Sequence, residues 1–301
     1  MPGLMLLDTP SLYFRAFYGV PESMTAPDGM PVNAIRGLVD MIATLVRTHS
    51  PAELVACMDA DWRPAFRVAA IPTYKAHRVA QGDEEEVPDT LAPQVPVIEA
   101  VLDAVGIARI GVPGFEADDV IGTCTARASG AVEIVTGDRD LFQLVDDSRP
   151  VRVLYTVRGI RNLQVIDEEA VAAKYGIPGR GYADFATLRG DPSDGLPGVP
   201  GVGDKTAAAL ITRFGSLPAL LTALDAGETE GFPAGSRTKL AAARAYLEAA
   251  PAVVRVAHDA PVPDIPLTLP SAPREPEILV KLSERYGLDG PLGRLLSALR
   301  S

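Results

Sequence analysis

The 301-residue chain has few cysteines, few histidines and no long apolar run, and each shortage excludes a class of protein. Cys57 and Cys124 both lie in apolar segments, so we expect two reduced core thiols rather than a disulfide framework. Two cysteines and three scattered histidines do not complete a zinc cage. Without about 18 consecutive apolar residues, no membrane span and no membrane partner are expected.

The N-terminus also lacks the features of a targeting segment. MPGLMLLDTP has no basic region and reaches an acid at Asp8, unlike a secretory signal peptide. A chain of this length that is 47% hydrophobic and 22% charged suits a globular protein of one large or two modest domains. Together with the reduced thiols, this predicts a soluble cytoplasmic protein.

Positive charge is the next shortage. The chain has 28 Lys and Arg against 39 Asp and Glu, which gives a formal net charge of −11. Taken alone, this charge argues against a nucleic-acid partner, because a polyanion is bound by cationic side chains. Two arrangements would make a nucleic-acid partner compatible with this charge: basic residues concentrated in one segment, or acids gathered around metal ions.

Short apolar runs that end in acids are what the sequence does contain. LMLLD ends at Asp8, ELVACMDAD ends at Asp59 and Asp61, and VEIVTGDRD ends at Asp138 and Asp140. Continuous rather than alternating apolarity is typical of buried strands in a parallel sheet. Two further strands are predicted at 108–112 and 151–156.

Helices are predicted between these strands. Apolar residues recur at helical spacing over 34–47, with Asn33 as a cap, and again over 95–106, where Gly106 ends the pattern. Alternating strands and helices predict an α/β domain. From about residue 190 the chain becomes rich in Gly and Pro and then helical, so we predict an α/β domain over 1–189 and a second, mainly helical region over 190–301.

The acids that follow these strands are expected to meet. In open α/β sheets, ligands collect beyond the carboxyl ends of the strands. FEADD at 115–119 adds three acids within four residues, more than a helix cap needs, and GDPSD at 190–194 adds two. The candidate metal ligands are Asp8, Asp59, Glu116, Asp118, Asp119, Asp138, Asp140, Asp191 and Asp194.

Each of these acids also has an ordinary structural explanation. Asp8 alone suits a cap or turn residue as well as a ligand, GDRD suits a turn after a strand, and DPSD suits an Asx turn or helix cap. Their joint occurrence at successive strand ends favours a metal centre, whereas Asp61 is interpreted as peripheral. Carboxylate oxygens suit Mg²⁺ or Mn²⁺, and two such ions about 4 Å apart would indicate in-line displacement at phosphorus.

These segments together resemble the bacterial flap endonuclease and 5′-3′ exonuclease family, which includes the 5′-nuclease domain of DNA polymerase I. The matching segments are MLLD at 5–8, ACMDAD at 56–61, FEADDVIG at 115–122, TGDRDLFQL at 136–144 and RGDPSDGLPGVPGVGDKTA at 189–207. One departure is Gly195, where the family usually has Asn. Both neighbouring acids are kept, so the metal site is expected to survive with a more flexible loop.

The resemblance implies a PIN-like nuclease domain with a central, mostly parallel sheet flanked by helices. It also implies a helical arch at about 62–95 and a helix–hairpin–helix region of the three-turn type. One metal ion would be held by Asp8, Asp59, Glu116 and Asp118. The second would be held by Asp138, Asp140, Asp191 and Asp194, partly through waters, with Asp119 bridging the ions or lying behind the ligands.

A local basic segment fits the expected arch. Residues 62–78 contain Arg63, Arg67, Lys75 and Arg78 and no acid. A solvated helix face would explain such a segment if it stood alone. By resemblance, YKAHR matches a signature of the arch, so Arg67 and Lys75 would stabilise charge on the scissile phosphate as catalytic residues. Arg78 would bind the single strand, Tyr74 would stack on a base or simply pack, and the acidic segment that follows is expected to be mobile without DNA.

Further DNA contacts are expected outside the arch. Arg15 and Tyr18 correspond to positions where the family contacts DNA, although Tyr18 equally suits helix packing. GVPGVGDKT is not a phosphate-binding P-loop, because Asp204 separates the glycine from the lysine and no strand precedes it. A helix–hairpin–helix is the better interpretation, with Gly201, Gly203, Lys205 and Thr206 at the duplex backbone. By resemblance this hairpin would also hold a monovalent cation, K⁺.

The leading hypothesis is therefore a divalent-metal-dependent 5′ nuclease that acts in primer removal and repair. Its expected partners are DNA with a 5′ flap, a 5′ overhang or a nick, and an RNA primer strand, and the protein is expected to be a monomer. The alternative is a branched-DNA-binding protein with a nuclease fold but no activity, which loss of the GDRD or DPSD acids would favour. A phosphatase that uses Asp59 and Asp61 would leave the hairpin without a role.

Overall fold

The computed structural model describes residues 3–80 and 84–300, and a six-stranded sheet lies at its centre. The strand order is β3-β2-β1-β4-β5-β6, and every neighbouring pair is parallel except β5 and β6. The strands are β1 Leu4–Asp8, β2 Glu53–Cys57, β3 Ala108–Ile110, β4 Val132–Thr136, β5 Val151–Tyr155 and β6 Gln164–Ile166. The predicted α/β class and the five predicted strands are confirmed, and only the short antiparallel β6 was missed.

Fourteen α-helices flank the sheet within the described ranges. They are α1 Thr9–Gly19, α2 Asn33–His49, α3 Ala65–Ala70, α4 Val95–Val105, α5 Ala117–Arg127, α6 Glu168–Tyr175, α7 Tyr182–Arg189, α8 Asp204–Phe214, α9 Leu217–Asp225, α10 Ser236–Ala242, α11 Arg244–Ala249, α12 Pro251–Val254, α13 Pro276–Tyr286 and α14 Asp289–Ala298. The two helices predicted at 34–47 and 95–106 appear as α2 and α4, and Gly106 ends α4 in the left-handed conformation.

The start of α2 corrects one expectation. Asn33 is the first residue of the helix rather than its cap, and its side-chain amide donates to the Phe17 carbonyl at 2.7 Å. The cap comes from a distant residue, Gln94, whose side-chain oxygen accepts from the Ala34 amide at 2.9 Å. Gln94 also donates to the Asn33 side chain, so this buried pair fixes the position of α2 relative to the segment before α4.

Two hydrophobic cores lie on opposite faces of the sheet, as the alternation of side chains along a strand requires. In β1, Leu6 packs into a core with α5 and the helices from α7 to α12, whereas Leu7 packs into a second core with α2, α4 and α14. The last two helices, α13 and α14, therefore pack against α4 and α2 rather than against the other C-terminal helices. The division of the chain at residue 190 stays a prediction.

The expected arch has no long helix in the part of the chain that the structure describes. Between 62 and 95 it contains only α3 and two short 3-10 turns, Ala76–Arg78 and Ala92–Gln94, while residues 81–83 fall outside the described ranges. Prolines at 64, 72, 88 and 93 explain this, because each lacks the N–H that a helix interior needs. In the described residues the arch is therefore a short helix followed by a turn-rich segment, and its bounds stay a prediction.

None of the helices within 3–80 and 84–300 is, by itself, long and apolar enough to cross a membrane. One bent pair, Asp204–Phe214 with Leu217–Asp225, passes the test of length and composition together, with an 82° angle at the break.

Helix α5 packs so closely against the segment at residues 256–257 that no side chain fits at Gly122. A Cβ at this position would lie 2.5 Å from the Ala257 carbonyl oxygen and 2.7 Å from a Val256 methyl. We expect Gly122→Ala to destabilise the protein by about 1–3 kcal/mol despite the higher helix propensity of Ala. Chemical denaturation measures this change, and Gly130→Ala is the control because no atom lies within 4 Å of its Cβ. Equal stability of the two variants would contradict the packing argument.

Candidate metal centre and active site

The predicted acids converge at the carboxyl edge of the sheet. They line two adjoining spaces: an open cleft of about 340 Å³ and a smaller, more enclosed cavity of about 50 Å³. The cleft is lined by Asp8, Asp59, Glu116, Asp118, Asp138 and Asp191, and the enclosed cavity by Glu116, Asp118, Asp138, Asp140 and Asp194. Eight of the nine predicted acids therefore lie at one site, as the strand-end argument predicts, and Asp119 is the exception.

Asp8 is the acid that the sheet itself holds in place. Strand β1 pairs with β4, so the end of β1 lies beside Thr136, whose hydroxyl donates to the Asp8 carboxylate at 2.5 Å. The other Asp8 oxygen accepts from the Ser11 amide at 3.2 Å, which caps α1. Burial, together with the nearby charges of Asp138 and Asp59, raises the pKa of Asp8 to about 7, although the hydrogen bond from Thr136 lowers it.

The start of α5 brings Glu116 and Asp118 to the same edge. Asp59 helps to fix this helix, because its carboxylate accepts from the Ala117 amide at 2.7 Å. Glu116 accepts from the Tyr74 hydroxyl at 2.8 Å and from the Lys75 ammonium at 2.9 Å. Burial raises the pKa of Glu116 to about 7, although Lys75 lowers it. Burial also raises the pKa of Asp118 well above its ordinary value.

The remaining acids lie on two tight turns. The Asp138 carboxylate accepts from the Asp140 amide at 2.8 Å, and the Asp191 carboxylate accepts from the Ser193 amide at 2.9 Å. The turn interpretation of GDRD and DPSD is therefore correct locally, yet the same acids also line the site. A capping bond uses one carboxylate oxygen, so a capping acid still offers its other oxygen to a ligand.

Asp119 is directed away from both spaces. Its two oxygens form paired hydrogen bonds with the Arg67 guanidinium, each 2.7 Å long, and one also accepts from the Ala257 amide at 2.8 Å. The residue is fully buried. These partners leave Asp119 as a support for Arg67, which corrects its inclusion among the metal ligands.

Arg67 is corrected for the same reason. Its side chain is only 2% exposed, and Nε donates to the Val253 carbonyl at 3.0 Å. The guanidinium lies 3.5 Å from Glu116 and touches the enclosed cavity, but it does not extend over the open cleft. Arg67 therefore positions the acids and ties α3 to α5 and α12, and it is not placed to contact a phosphate in the cleft.

Lys75 and Arg78 are the basic residues that line both the cleft and the cavity. Lys75 has a left-handed backbone with φ of 47°, and its ammonium bridges Glu116 and the Trp62 carbonyl. Arg78 donates to the Asp194 carboxylate at 2.9 Å. The predicted proximity of these two cations to the acids is observed, which fits their expected roles beside a phosphate.

Of the residues expected to contact DNA, Tyr74 is buried, whereas Tyr18 and Arg15 remain accessible to different extents. Tyr74 is 3% exposed with its hydroxyl on Glu116, so it packs and cannot stack on a base, which corrects its place among the DNA-binding residues. Tyr18 is 73% exposed on α1 and stays a candidate for DNA contact. Arg15, on the same helix, is half-buried and also stays a prediction.

The helix–hairpin–helix is formed by α7, the turn-rich segment after it, and α8. Gly201 has φ of 75°, a left-handed conformation that favours glycine because it has no side chain. Gly203 has an extended backbone and is the N-cap of α8. Lys205 is exposed in the first turn of α8, beside Thr206. The sequence did not identify Lys239, whose ammonium donates to the Gly201 carbonyl at 2.8 Å from α10. Its only sequence signal is a lysine within GSRTK, too weak to place it.

Two residues of the acid site itself were also missed. Thr136 donates to Asp8 and accepts from the Asp138 amide at 2.8 Å, so it links the two strand ends. Its signal was its position at the end of β4. Glu85 lines the cleft, but it lies in the acidic segment that was expected only to be mobile without DNA.

The acids are gathered but do not form a closed cage. No three acidic, Cys or His side chains within 3–80 and 84–300 already surround a single point as metal ligands would. Mutual repulsion explains the spacing, because carboxylates approach one another closely only when a cation lies between them. The donor set is oxygen only, with few cations to offset it, so these residues fit hard divalent metal ions.

Comparison with known proteins identifies relatives along the whole chain. A model of the 5′-3′ exonuclease N-terminal resolvase-like domain matches residues 3–176, and one of the 5′-3′ exonuclease C-terminal SAM fold matches residues 177–276. A 5′-3′ exonuclease of Streptomyces coelicolor is 62% identical over 98% of this chain and 99% of its own length. DNA polymerase I of Mycobacterium bovis is 46% identical over 75% of this chain, which is 24% of the polymerase.

Solved structures share the fold at low sequence identity. The bacteriophage T5 5′-exonuclease with bound zinc has a TM-score of 0.64 and 18% identity, covering 99% of this chain and 98% of its own. The catalytic core of Rad2 in complex with DNA substrate has a TM-score of 0.58 and 18% identity, covering 98% and 93%. These similarities confirm the predicted architecture of a mostly parallel sheet with flanking helices.

The buried pair of Arg67 and Asp119 makes a testable contribution to stability. Arg67→Met leaves the Asp119 carboxylate buried without its partner, so we expect a loss of about 3–5 kcal/mol in the free energy of unfolding. Arg294→Met is the matched control, because Arg294 also binds an aspartate with two nitrogens, but at an exposed site. There we expect a loss of about 0–1 kcal/mol. Equal losses in urea denaturation would contradict the assigned role of Arg67.

The raised pKa of Asp8 predicts how the metal-free protein responds to pH. A carboxyl group with a folded pKa of about 7 binds more protons in the folded state than in the unfolded state between about pH 4 and 7. Stability in the presence of a chelator should therefore fall as pH rises through this range. Thermal melts measure this slope, and Asp8→Asn should reduce it, whereas Asp264→Asn, at an exposed position, should not. An unchanged slope in Asp8→Asn would contradict the assignment.

Proposed function

The chain belongs to the 5′-3′ exonuclease family, and on that premise we propose that it cleaves DNA both from free 5′ ends and at 5′ flaps. The enzyme is a structure-specific, metal-dependent 5′ nuclease. The observation that carries the proposal is the gathering of eight acids from strand ends, the start of α5 and the turn after α7 beside Lys75 and Arg78. A non-catalytic DNA-binding protein is not favoured, because it would have no use for so many acids at one place.

Two divalent ions, Mg²⁺ or Mn²⁺, are assigned to this site. Bound there, they would activate a water molecule and offset the charge that develops on the phosphate. The acids at the ends of β1 and β2 and at the start of α5 would hold one ion, and those of the two turns would hold the other. These sets are Asp8, Asp59, Glu116 and Asp118, and then Asp138, Asp140, Asp191 and Asp194.

The cations of the chain would orient the phosphate. Lys75 lies at the boundary between cleft and cavity with its ammonium on Glu116, so a phosphate in the cleft would find a donor already in place. Arg78, one turn further along, would contact the neighbouring phosphate of the same strand. Arg67 would act only through Asp119 and Glu116, by keeping the start of α5 at the sheet edge.

Duplex DNA would bind at the hairpin. The first turn of α8 offers free backbone N–H groups beside Lys205 and Thr206, and these suit a phosphate without reading sequence. Lys239 adds a second ammonium beside Gly201. We also propose that backbone carbonyls of this hairpin hold a K⁺ ion.

The substrates proposed are DNA with a 5′ flap, a 5′ overhang or a nick, and an RNA primer strand paired to DNA. Removal of primers and repair of damaged strands are the roles that such substrates imply. We propose that the protein acts in the cytoplasm. We also propose that it is a monomer, because one chain supplies all the acids that line the site.

Asp138 is the most informative position for a test, because it lines both the cleft and the cavity. Asp138→Ala should lower the rate of cleavage of an end-labelled 5′-flap duplex in Mn²⁺ or Mg²⁺ by at least about a hundredfold. Binding of the flap, measured by fluorescence anisotropy, should be retained, because the hairpin is untouched. Asp264→Ala is the control and should cleave normally. If the wild-type protein binds the flap but does not cut it, whichever divalent ion is supplied, the proposal is overturned.

A further inference from the structure

The turn that carries Asp191 and Asp194 is joined to the basic segment beside it. We call residues 72–78 the strap and residues 191–196 the acidic loop. The Thr73 hydroxyl donates to the Gly195 carbonyl at 2.9 Å, and the Lys75 amide donates to the Asp194 carbonyl at 2.9 Å. At the other end of the strap, Arg78 donates to the Ser193 carbonyl at 2.6 Å. The strap therefore rests along the acidic loop through several hydrogen bonds.

Gly195 is the residue that makes this contact possible. Its φ is 72°, and a Cβ built there would lie 2.2 Å from the carbonyl oxygen of Thr73. Asn tolerates a left-handed backbone better than most residues, so conformation alone does not demand glycine here. The close approach of Thr73 does demand it, because a backbone oxygen cannot move away from a Cβ unless the strap moves too.

The position of the strap determines the shape of the site. With the strap on the acidic loop, Lys75 and Arg78 lie between the open cleft and the enclosed cavity that contains Asp140 and Asp194. The cavity, at about 50 Å³, has room for an ion and little else, so a DNA strand can enter only through the cleft. A paired 5′ end brings a second strand that must also be accommodated beside the strap.

We propose that Gly195 determines substrate selectivity: by seating the strap on the acidic loop, it makes this nuclease favour an unpaired 5′ strand over a paired 5′ end. The inference rests on the proposed function, and it assigns the selectivity of the nuclease to the contact between Gly195 and Thr73. Any side chain at position 195 lifts the strap from the loop, widens the entrance and weakens the preference. In this proposal, Gly195 serves to let the strap pack closely on the acidic loop, rather than to make the loop more flexible.

Gly195→Asn is the direct test, since it keeps both acids and tolerates the backbone conformation. The specificity constant, kcat/KM, is measured on a duplex with a single-stranded 5′ flap and on the same duplex with a nick and a paired 5′ end. We expect the flap-to-nick ratio of the variant to fall at least fivefold from the wild-type value. Gly227→Asn is the matched control, because Gly227 has φ of 77° and no atom within 4 Å of its Cβ.

A second measurement follows the strap without any substrate. Trypsin cleavage after Lys75 and Arg78, followed by mass spectrometry in the metal-free protein, should be at least fivefold faster in Gly195→Asn than in wild type or Gly227→Asn. Thr73→Val, which removes one hydrogen bond without a clash, should show a smaller increase. If Gly195→Asn fails to fold by circular dichroism, Thr73→Val carries the test through the same two readouts.

The outcomes separate this inference from the proposed function. If wild type cleaves the flap but Gly195→Asn matches Gly227→Asn in both the ratio and the proteolysis, the selectivity role of Gly195 is wrong. If wild type cleaves no 5′ end, the proposed function fails, and faster proteolysis of Gly195→Asn would then support only the seating contact. A fallen ratio with unchanged proteolysis would also overturn the inference, because selectivity would then not depend on the strap.

Discussion

Repulsion among carboxylates at the carboxyl edge of the sheet is the constraint on which the rest of this structure depends. Parallel strands bring Asp8 and Asp138 to one edge, and α5 begins there with Glu116 and Asp118. Burial raises the pKa values of Asp8 and Glu116 to about 7, so the folded protein holds these groups at an energetic cost unless cations are present. A fold that keeps such a cluster is organised around the ions that would relieve it.

The basic segment between residues 62 and 78 supplies the cations that the chain itself provides. Arg67 binds Asp119, Lys75 binds Glu116 and Arg78 binds Asp194, so three cations from one segment reach acids on two different elements. This local pairing explains how a chain with a net charge of −11 suits a polyanionic substrate. Eight of the acids lie near the proposed metal positions, and Lys75 and Arg78 lie beside them where a strand is proposed to bind.

The sequence predicted what depends on local pattern and missed what depends on distant partners. Apolar runs located five strands, and the acids that end three of these runs located the common edge, because the ends of parallel strands meet there. The basic signature located the arch, whereas its four prolines limit the helix within it to the six residues of α3. Arg67 and Asp119 lie 52 residues apart, and Tyr74 and Glu116 lie 42 apart, so no spacing in the sequence indicates that these side chains bury one another.

The most direct test of the central claim is to locate bound metal. Crystals of the wild-type protein soaked in Mn²⁺ would be examined by anomalous diffraction at the manganese edge. The account predicts two peaks about 4 Å apart at the sheet edge, one among Asp8, Asp59, Glu116 and Asp118 and the other towards Asp140 and Asp194. Saturating Mn²⁺ without a peak in the cleft or the enclosed cavity would contradict the metal centre, and with it the reason for gathering these acids.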